Sequence, residues 1–529
     1  MSRHTETELK LAVAPELLDA VAEHPVVTAR RFGDPVRESL ESVYYDTPDR
    51  RLSASKAVLR VRRTPGGYVQ TLKSGDGLTR NEWEWPVAGQ ALDLAATCTH
   101  AAARAVLDDI PPGELVPMFE TRIERTVHRL DGGAIELAID LGMVLAPDGS
   151  GEPISEIELE LKSGQPCDLY RFALLLAETL PLRIESRSKA ARGFALADRE
   201  PPGAVKAKRL AFDPETNVDS AMAAVFGSCF SQFLANEPCV TTGTDPEGIH
   251  QARVGLRRLR SALSLFRDLL PPEQLQWLKT ETRWLAETLG AARDWDVFLE
   301  DLLEPVKSAF LISPEIRADL SALDTAARQQ RLLAFDALCE ALRSLRYTDF
   351  QLRFGLWLES RGWRDQPVTV ASAALFQPLD KVAGHLLERC HRKVRKAGKH
   401  FGQKSYPERH EVRITLKKLR YAAEFFHSLH DAKHAGHFAE QLGTFQDILG
   451  HINDVATATR LISLLTEPGS SEGTDAGREQ LARAGGVIIG WHGRGLIADE
   501  PALISEWREF RATKPYWNRP AGKSRSKAV

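Results

Sequence analysis

SEIELELK, residues 155–162, carries Glu156, Glu158, Glu160 and Lys162 at alternate positions, with Ile157, Leu159 and Leu161 between them. A β-strand sends successive side chains to opposite faces, so three carboxylates and an ammonium share one face and three aliphatics the other. The start of the chain repeats the division: Glu6, Glu8 and Lys10 oppose Thr7, Leu9 and Leu11. So do Arg60 and Arg62 against Leu59 and Val61, Arg80, Glu82 and Glu84 against Trp83 and Trp85, and Glu136 and Asp140 against Leu137 and Ile139. Alternation runs over 5–13, 40–46, 57–63, 68–73, 80–87, 120–130, 134–141 and 154–162. That number of strands can close a barrel. A single wet face is ordinary in an antiparallel sheet. Carboxylates repeated at i, i+2 on several strands are less so, because they repel unless cations lie among them. Lys10, Arg60, Arg62, Lys73, Arg80 and Arg122 fall on the same side by parity. The barrel therefore encloses a wet tunnel lined by both signs, suited to a polyphosphate gripped by Lys and Arg and bridged to carboxylates by a divalent metal. Glu82, Glu84, Glu124, Glu136 and Asp140 read first as partners that hold the arginines, Lys162 as surface, and the tryptophans with Tyr44 and Tyr45 as exterior core.

The rest of the 529 residues reads differently. Helical stretches lie near 15–24, 91–108 and 167–180, and the Pro, Gly and charge of 198–214 mark a connection. From about 215 onward 3.6-residue periodicity replaces alternation. The expected fold is α+β and multidomain: an eight-stranded antiparallel tunnel barrel with flanking helices in 1–200, a linker at 201–214, an all-helical part at 215–515, and a disordered tail at 516–529. The helical part contains an ungapped repeat displaced by 160 positions: His250, Arg253, Arg257, Arg258 and Arg260 recur as His410, Arg413, Lys417, Lys418 and Arg420. LGAARD (289–294) likewise recurs as LGHIND (449–454), so two related helical bundles are expected.

A composition of 43% hydrophobic and 27% charged residues is that of a globular protein. No apolar run nears the roughly 18 residues of a membrane span, and MSRHTETELKLAV (1–13) leaves no room for a signal peptide, so the expected place is the cytoplasm. Cys98, Cys167, Cys229, Cys239, Cys339 and Cys390 lack metal-binding or disulfide spacing and read as reduced thiols. The net charge of −3 is unevenly divided: residues 1–200 hold 24 basic and 32 acidic groups, and 201–529 hold 45 and 40. RCHRKVRKAGK (389–399), with Arg392, Lys393 and Lys396, contains six Lys/Arg and no acid. On a helix His250, Arg253 and Arg257 form one stripe, flanked by Arg258 and Arg260, opposite Leu256, Leu259, Leu263 and Phe266. Ordinary solvated faces mix signs; these are nearly all positive, which points to a polyanion. A metal held by His250, His391, His400 and His410 is disfavoured by the flanking arginines, whereas phosphate bound through ring N–H groups suits them.

The series ETELK (6–10), YYDTPDRRL (44–52), AVLRVRR (57–63), QTLKSG (70–75), RNEWEW (80–85), FETRIER (119–125), AIDLG (138–142) and SEIELELKSG (155–164) resembles the CYTH family of triphosphate tunnel metalloenzymes. That resemblance implies an eight-stranded barrel that hydrolyses or cyclises triphosphates with Mg²⁺ or Mn²⁺. Carried onto this chain, it makes Glu6, Glu8, Glu156, Glu158 and Glu160 candidate metal ligands. Lys10, Arg60, Arg62, Lys73, Arg80, Arg122 and Lys189 become candidate substrate ligands, with Glu6, Glu8, Lys10 and Lys189 closest to the chemistry.

IHQARVGLRRLRSAL (249–263), LGAARDWDVF (289–298), RHEVRITLKKLRY (409–421) and FQDILGHINDV (445–455) resemble the CHAD family, which implies two helical bundles around a basic channel that binds inorganic polyphosphate. Its candidate ligands here are His250, Arg253, Arg257, Arg258, Arg260, Arg392, Lys393, Lys396, His410, Arg413, Lys417, Lys418 and Arg420. The order of the two resembles bacterial inorganic triphosphatases. The expected partners are inorganic triphosphate and polyphosphate, without a membrane and without nucleic acid, for which no reading motif is present; association with polyphosphate bodies is part of the expectation. A class IV adenylate cyclase, a thiamine triphosphatase and a non-catalytic polyphosphate scaffold are the rival readings.

Overall fold

The structure is a computed structural model that describes residues 5–75, 77–97, 101–108, 110–213, 215–243, 245–310, 313–467 and 475–518. Cys98 and residues 519–529 of the expected tail lie outside the described residues. The strands are β1 (Thr5–Ala12), β2 (Val36–Asp46), β3 (Ala57–Thr64), β4 (Gly67–Ser74), β5 (Thr79–Val87), β6 (Val116–Leu130), β7 (Ile135–Leu145), β8 (Gly151–Leu161) and β9 (Arg183–Ile184). Helices of nine or more residues are α1 (Pro166–Leu176), α2 (Lys189–Ala197), α3 (Val218–Thr242), α4 (Pro246–Leu265), α5 (Pro272–Val297), α6 (Pro314–Leu342), α7 (Leu345–Glu359), α8 (Leu379–Ala397), α9 (Tyr406–Phe425), α10 (Ala432–Thr466) and α11 (Asp475–Ala512).

The chain forms two units, one of residues 1–203 with 341–362 and one of residues 204–340 with 363–529. In the first, the strands run β5-β4-β3-β2-β6-β7-β8-β1, every pair antiparallel, and β1–β5 pairing closes the barrel. The two-residue β9 adds to β1 beyond the end of β5. The apolar face of the strands points outward. Leu9, Leu11, Leu137, Ile139, Ile157 and Leu159 pack under Leu169, Phe172, Ala173 and Leu176 of α1, with Leu352 of α7 in the same cluster. A capping box between Gln165 and Asp168 starts α1 where the sheet ends. Leu59, Leu72, Trp83 and Trp85 form a second exterior cluster with Ala103 and Ile110.

The segment 341–362, which periodicity alone places among the helices after 215, thus completes the first unit. On α7 the ring of Tyr170 fills the space beside Gly355, where a Cβ would stand 2.2 Å from a ring carbon.

In the second unit the duplication is visible in the element boundaries. α4 and α9 are displaced by 160 at both ends, the 3₁₀ turns Arg267–Leu269 and His427–Leu429 follow, and α5 and α10 start at 272 and 432. Each of α4 and α9 opens with a proline in its first turn, where the missing N–H costs nothing. The equivalent Phe266 and Phe426 meet edge to face, ring centroids 6.3 Å apart. By length and composition α3 is apolar enough to cross a membrane, but 61% of its apolar window is buried within the fold, as in a core helix. Residues 516–518, expected in the disordered tail, instead make a 3₁₀ turn whose Tyr516 and Trp517 are buried against Phe438, because these rings find apolar cover.

Candidate active site and basic cavity

Inside the barrel lies a cavity of about 200 Å³. Cross-strand register builds its lining. Glu8 stands opposite Glu160, and Lys10 opposite Glu158, on β1–β8; Glu136 stands opposite Glu160, and Asp140 opposite Glu156, on β7–β8. Lys73 faces Glu82 on β4–β5, and Glu6 faces Arg80 on β1–β5. Lys73 Nζ donates to Glu6 at 2.6 Å and lies 3.0 Å from Glu82; Lys10 donates to Glu8 at 2.5 Å; Arg80 pairs with Glu6 and Glu8. Arg60 and Arg62 line the wall, with Arg62 Nε donating to Ser42 at 3.2 Å.

At the inner end Lys189, from α2, meets Asp140 at 2.8 Å and Glu158 at 2.8 Å, and donates to Glu156. Arg125 grips Asp140 through two bonds and Glu158 through a third at 2.6 Å. α2 closes this end. Gly193 lies against the ring of Phe119, where a Cβ would come within 2.1 Å of ring carbon, and Leu40, Tyr44, Phe119, Ile123, Val144 and Ile154 fill the interior.

Charge follows the geometry. Burial pushes the Glu158 carboxyl up, but Lys189, Arg125 and Lys10 together hold it well below the usual range; Lys189 and Arg125 likewise hold Asp140 down against its burial. Glu160 goes the other way, raised by burial and by the neighbouring Glu6 and Glu136 against the pull of Lys162. Arg62 is lowered to about 10 by burial and by Arg60 and Arg125. Carboxylate oxygens are the donors Mg²⁺ and Mn²⁺ prefer. Asp140, Glu156 and Glu158 can offer oxygens within 4.8 Å of one another, the one such group among the described residues, and Glu156 Oε2 is buried without a hydrogen bond. Lys189 already stands in that group as its cation; the remaining carboxylate donors are Glu6, Glu8 and Glu160, which share Lys73, Arg80, Lys10 and Lys162 and, at Glu160, feel the like charges of Glu6 and Glu136.

The expected residues Glu6, Glu8, Lys10, Arg60, Arg62, Lys73, Arg80, Glu158, Glu160 and Lys189 all line this cavity. Glu156 is fully buried beside it. Arg122 is a correction: its side chain is 64% exposed on the barrel exterior and pairs with Glu120, because Phe119, Thr121, Ile123 and Arg125 take the inward parity of β6. Arg125 holds the inward place instead. Its signal was the apolar Phe119 and Ile123, six and two residues before it, which plug the closed end rather than pack outside. Glu124 is outside too, accepting from Ser39. Tyr44, expected outside, lines the cavity stacked on Phe119 at 4.5 Å, whereas Tyr45 is outside and donates to Gln90 O. Lys162 sits at the cavity rim, 2.6 Å from Glu160.

The second unit holds a basic cavity of about 770 Å³. His250, Arg253, Arg257 and Arg260 of α4 and Arg413, Lys417 and Lys418 of α9 line it, together with Lys279, Arg283 and Arg293 of α5, which the stripes did not reveal. Asp294 pairs with Arg253 at 3.1 Å, whereas among the described residues no carboxylate stands within ion-pair distance of Lys417, which Asp454 attracts from farther away. Burial and the positive Arg257 and Arg413 bring Lys417 down to about 6, and His250 is lowered by burial and by Arg257, Arg293 and Arg253 despite Glu247.

Arg258 is a correction: buried in the core, it donates to Gln232 at 2.7 Å and lies over Phe425, since its flank of α4 meets α3. Arg420 is turned to Glu424 and Gln446, outside the cavity lining. Arg392, Lys393 and Lys396 stand exposed on α8, also outside that lining; so does His410, half-buried on α9, whose Nδ1 has no hydrogen-bond partner among the described residues. His391 is walled in by Phe438, Phe510 and Trp517.

A barrel with its charge inside and its core outside, followed by duplicated helices around a basic cavity, defines the class. Residues 4–194 match the CYTH domain and residues 224–463 the CHAD domain, so this chain carries a CYTH domain followed by a CHAD domain. An inorganic triphosphatase of Haemophilus influenzae is 32% identical over 203 residues, 37% of this chain and 56% of that protein's length. An uncharacterised Mycobacterium tuberculosis protein is 25% identical over 446 residues, 80% of this chain and 82% of the other. The crystal structure of the CHAD domain from the plant Ricinus communis is 29% identical, with a TM-score of 0.48, covering 59% of this chain and 98% of that one.

Proposed function

We propose that the barrel hydrolyses inorganic triphosphate to pyrophosphate and phosphate, and that the helical cavity binds inorganic polyphosphate. The observation that carries the reading is the tunnel lining, in which Lys10, Arg60, Arg62, Lys73 and Arg80 alternate with carboxylates across strand after strand in a cavity of about 200 Å³. That volume suits a short phosphate chain, and the 32% identical inorganic triphosphatase supports the choice.

Glu6, Glu8 and Glu160 would hold Mg²⁺ or Mn²⁺. Such a cation supplies charge neutralisation on the triphosphate and a more acidic bound water. The chain's own cations, Arg60, Arg62, Lys73 and Arg80, release their carboxylate partners to take phosphate oxygens and spread the charge that builds on the leaving pyrophosphate. Lys189 and Arg125 keep Glu158 ionised for a water to lean on. In the second unit the unpaired Lys417 and its arginine neighbours gain from any polyanion that enters.

The test is phosphate release from tripolyphosphate by the full chain with Mg²⁺ or Mn²⁺, beside ATP, thiamine triphosphate and long-chain polyphosphate. Metal-dependent release from tripolyphosphate that Glu6→Ala abolishes is expected. Preference for ATP or thiamine triphosphate, or no release at all, overturns the reading.

A further inference from the structure

Lys10 and Lys189 reach the tunnel from two places in the chain, and a short stretch of backbone joins them. β9 pairs with β1 through Ile184 opposite Leu11 and Arg183 opposite Ala12, and Glu185 N donates to the carbonyl of Lys10 at 3.0 Å. Five residues beyond Ile184 the same stretch delivers Lys189 to Asp140, Glu156 and Glu158. Two residues cannot hold a strand by themselves, since ladder bonds and side-chain cover are both scarce.

The missing support comes from α7, some 160 residues later in the chain. Gln351, fully buried, accepts from Ile184 N at 2.8 Å through Oε1 and donates to Leu182 O at 3.1 Å through Nε2. Thr348, also buried, donates to the same carbonyl at 2.6 Å. A side-chain amide that satisfies one backbone N–H and one C=O two residues apart acts as a substitute strand partner, and at full burial each of those groups is costly to leave unpaired.

We propose that Gln351 is a positioning residue of the barrel reaction, holding residues 182–185 so that Lys10 and Lys189 stand in register with the tunnel carboxylates. The inference rests on the triphosphatase reading and adds to it a dependence on α7, a segment outside the contiguous barrel sequence. Gln351 touches no tunnel group itself. It acts through the backbone of Leu182 and Ile184, as the supporting partners of ligating side chains do in metal sites.

The test uses the full chain. Gln351→Leu keeps the volume and removes both hydrogen bonds; Phe354→Leu, on the same helix, removes buried ring volume and leaves both hydrogen bonds in place. With tripolyphosphate and Mg²⁺ or Mn²⁺ below the melting range, Gln351→Leu is expected to lower kcat about tenfold to a hundredfold. Amides of 182–189 should then exchange faster with deuterium, while other barrel strands keep their protection. Phe354→Leu is expected to lower the melting temperature and leave kcat in place. Adding Thr348→Val to Gln351→Leu should deepen the loss, since Leu182 O then keeps neither of its side-chain donors. An active wild type with unchanged kcat in Gln351→Leu overturns this inference alone, as does an equal loss in Phe354→Leu. A wild type that releases no phosphate overturns the function on which it rests.

Discussion

Replacing Lys189 with methionine removes the ammonium that touches Asp140, Glu156 and Glu158 together. At an effective dielectric near 20, a unit charge pair at the 2.8 Å separation seen to Asp140 attracts by about 6 kcal/mol, and the desolvation of both ions offsets most of it. Deleting one partner of such a buried network costs about 3–5 kcal/mol. Arg125 and Arg192 stay to hold part of the charge, so about 3 kcal/mol is expected. The pH dependence gives a sharper signature. In the intact chain Asp140 and Glu158 lie below their ordinary values, so their stabilising contribution is present above the unfolded carboxyl range and is lost as pH falls through the lower folded values. In Lys189→Met the crowded carboxyls rise above that range, and the contribution becomes largest at low pH and fades as pH rises. Because the chain has two units, a global melt mixes their transitions. Deuterium exchange of β7 and β8 amides, between about pH 5 and 7 with the intrinsic rate corrected, reads the barrel by itself. Strand protection in Lys189→Met equal to wild type, or growing with pH, would refute the account of Lys189 as the cation of this cluster.

The same variant leaves three carboxylates able to share a cation, so millimolar Mn²⁺ should raise β7 and β8 protection more in Lys189→Met than in the wild type, where Lys189 already occupies that group. Arg125→Ala and Arg122→Ala separate the two faces of β6: the first should lower kcat/KM for tripolyphosphate by about a hundredfold, the second less than twofold, and equal losses would contradict the inward parity of Arg125. In the helical cavity a bound polyphosphate restores the charge of Lys417, so affinity should fall as pH rises above about 6, with proton uptake visible in calorimetry run in two buffers at pH 8. Lys417→Met should abolish that uptake; uptake that persists would assign it elsewhere. Arg258→Met should leave polyphosphate affinity within twofold and lower the melting temperature of the second unit, the reverse of the expectation for Arg257→Ala.

The strands were legible because each pairs a charged parity with an apolar one over most of its length: the alternation at 57–63 and 80–87 became Ala57–Thr64 and Thr79–Val87. Parity failed where the barrel interior turns apolar. Phe119 and Ile123 look like exterior residues until α2 is known to close that end, and that reading turns Arg122, of the opposite parity, wrongly inward. A break in β2–β6 register between Tyr44 and Tyr45 hid which tyrosine faces inward. The repeat at 160 positions gave the helix boundaries of α4 and α9, but not the fate of every basic residue on them. Arg258 differs from Arg257 only in meeting Gln232 and Phe425, partners 26 positions before it and far beyond it in the chain. The membership of α7 was invisible for the same reason: periodicity marks an amphipathic helix and is silent on which core receives it.

That placement of α7 also sets an order of events during synthesis. The apolar wall of Leu9, Leu11, Ile157 and Leu159 is translated well before Leu352, which joins its cluster. At about 5–20 residues per second, the roughly 140 residues between the end of the barrel sequence and α7 take on the order of 10 seconds to emerge. Through that interval the nascent barrel presents a greasy flank and a two-residue strand without its clasp, so the ribosome-bound chain has a defined window in which a chaperone has something to hold.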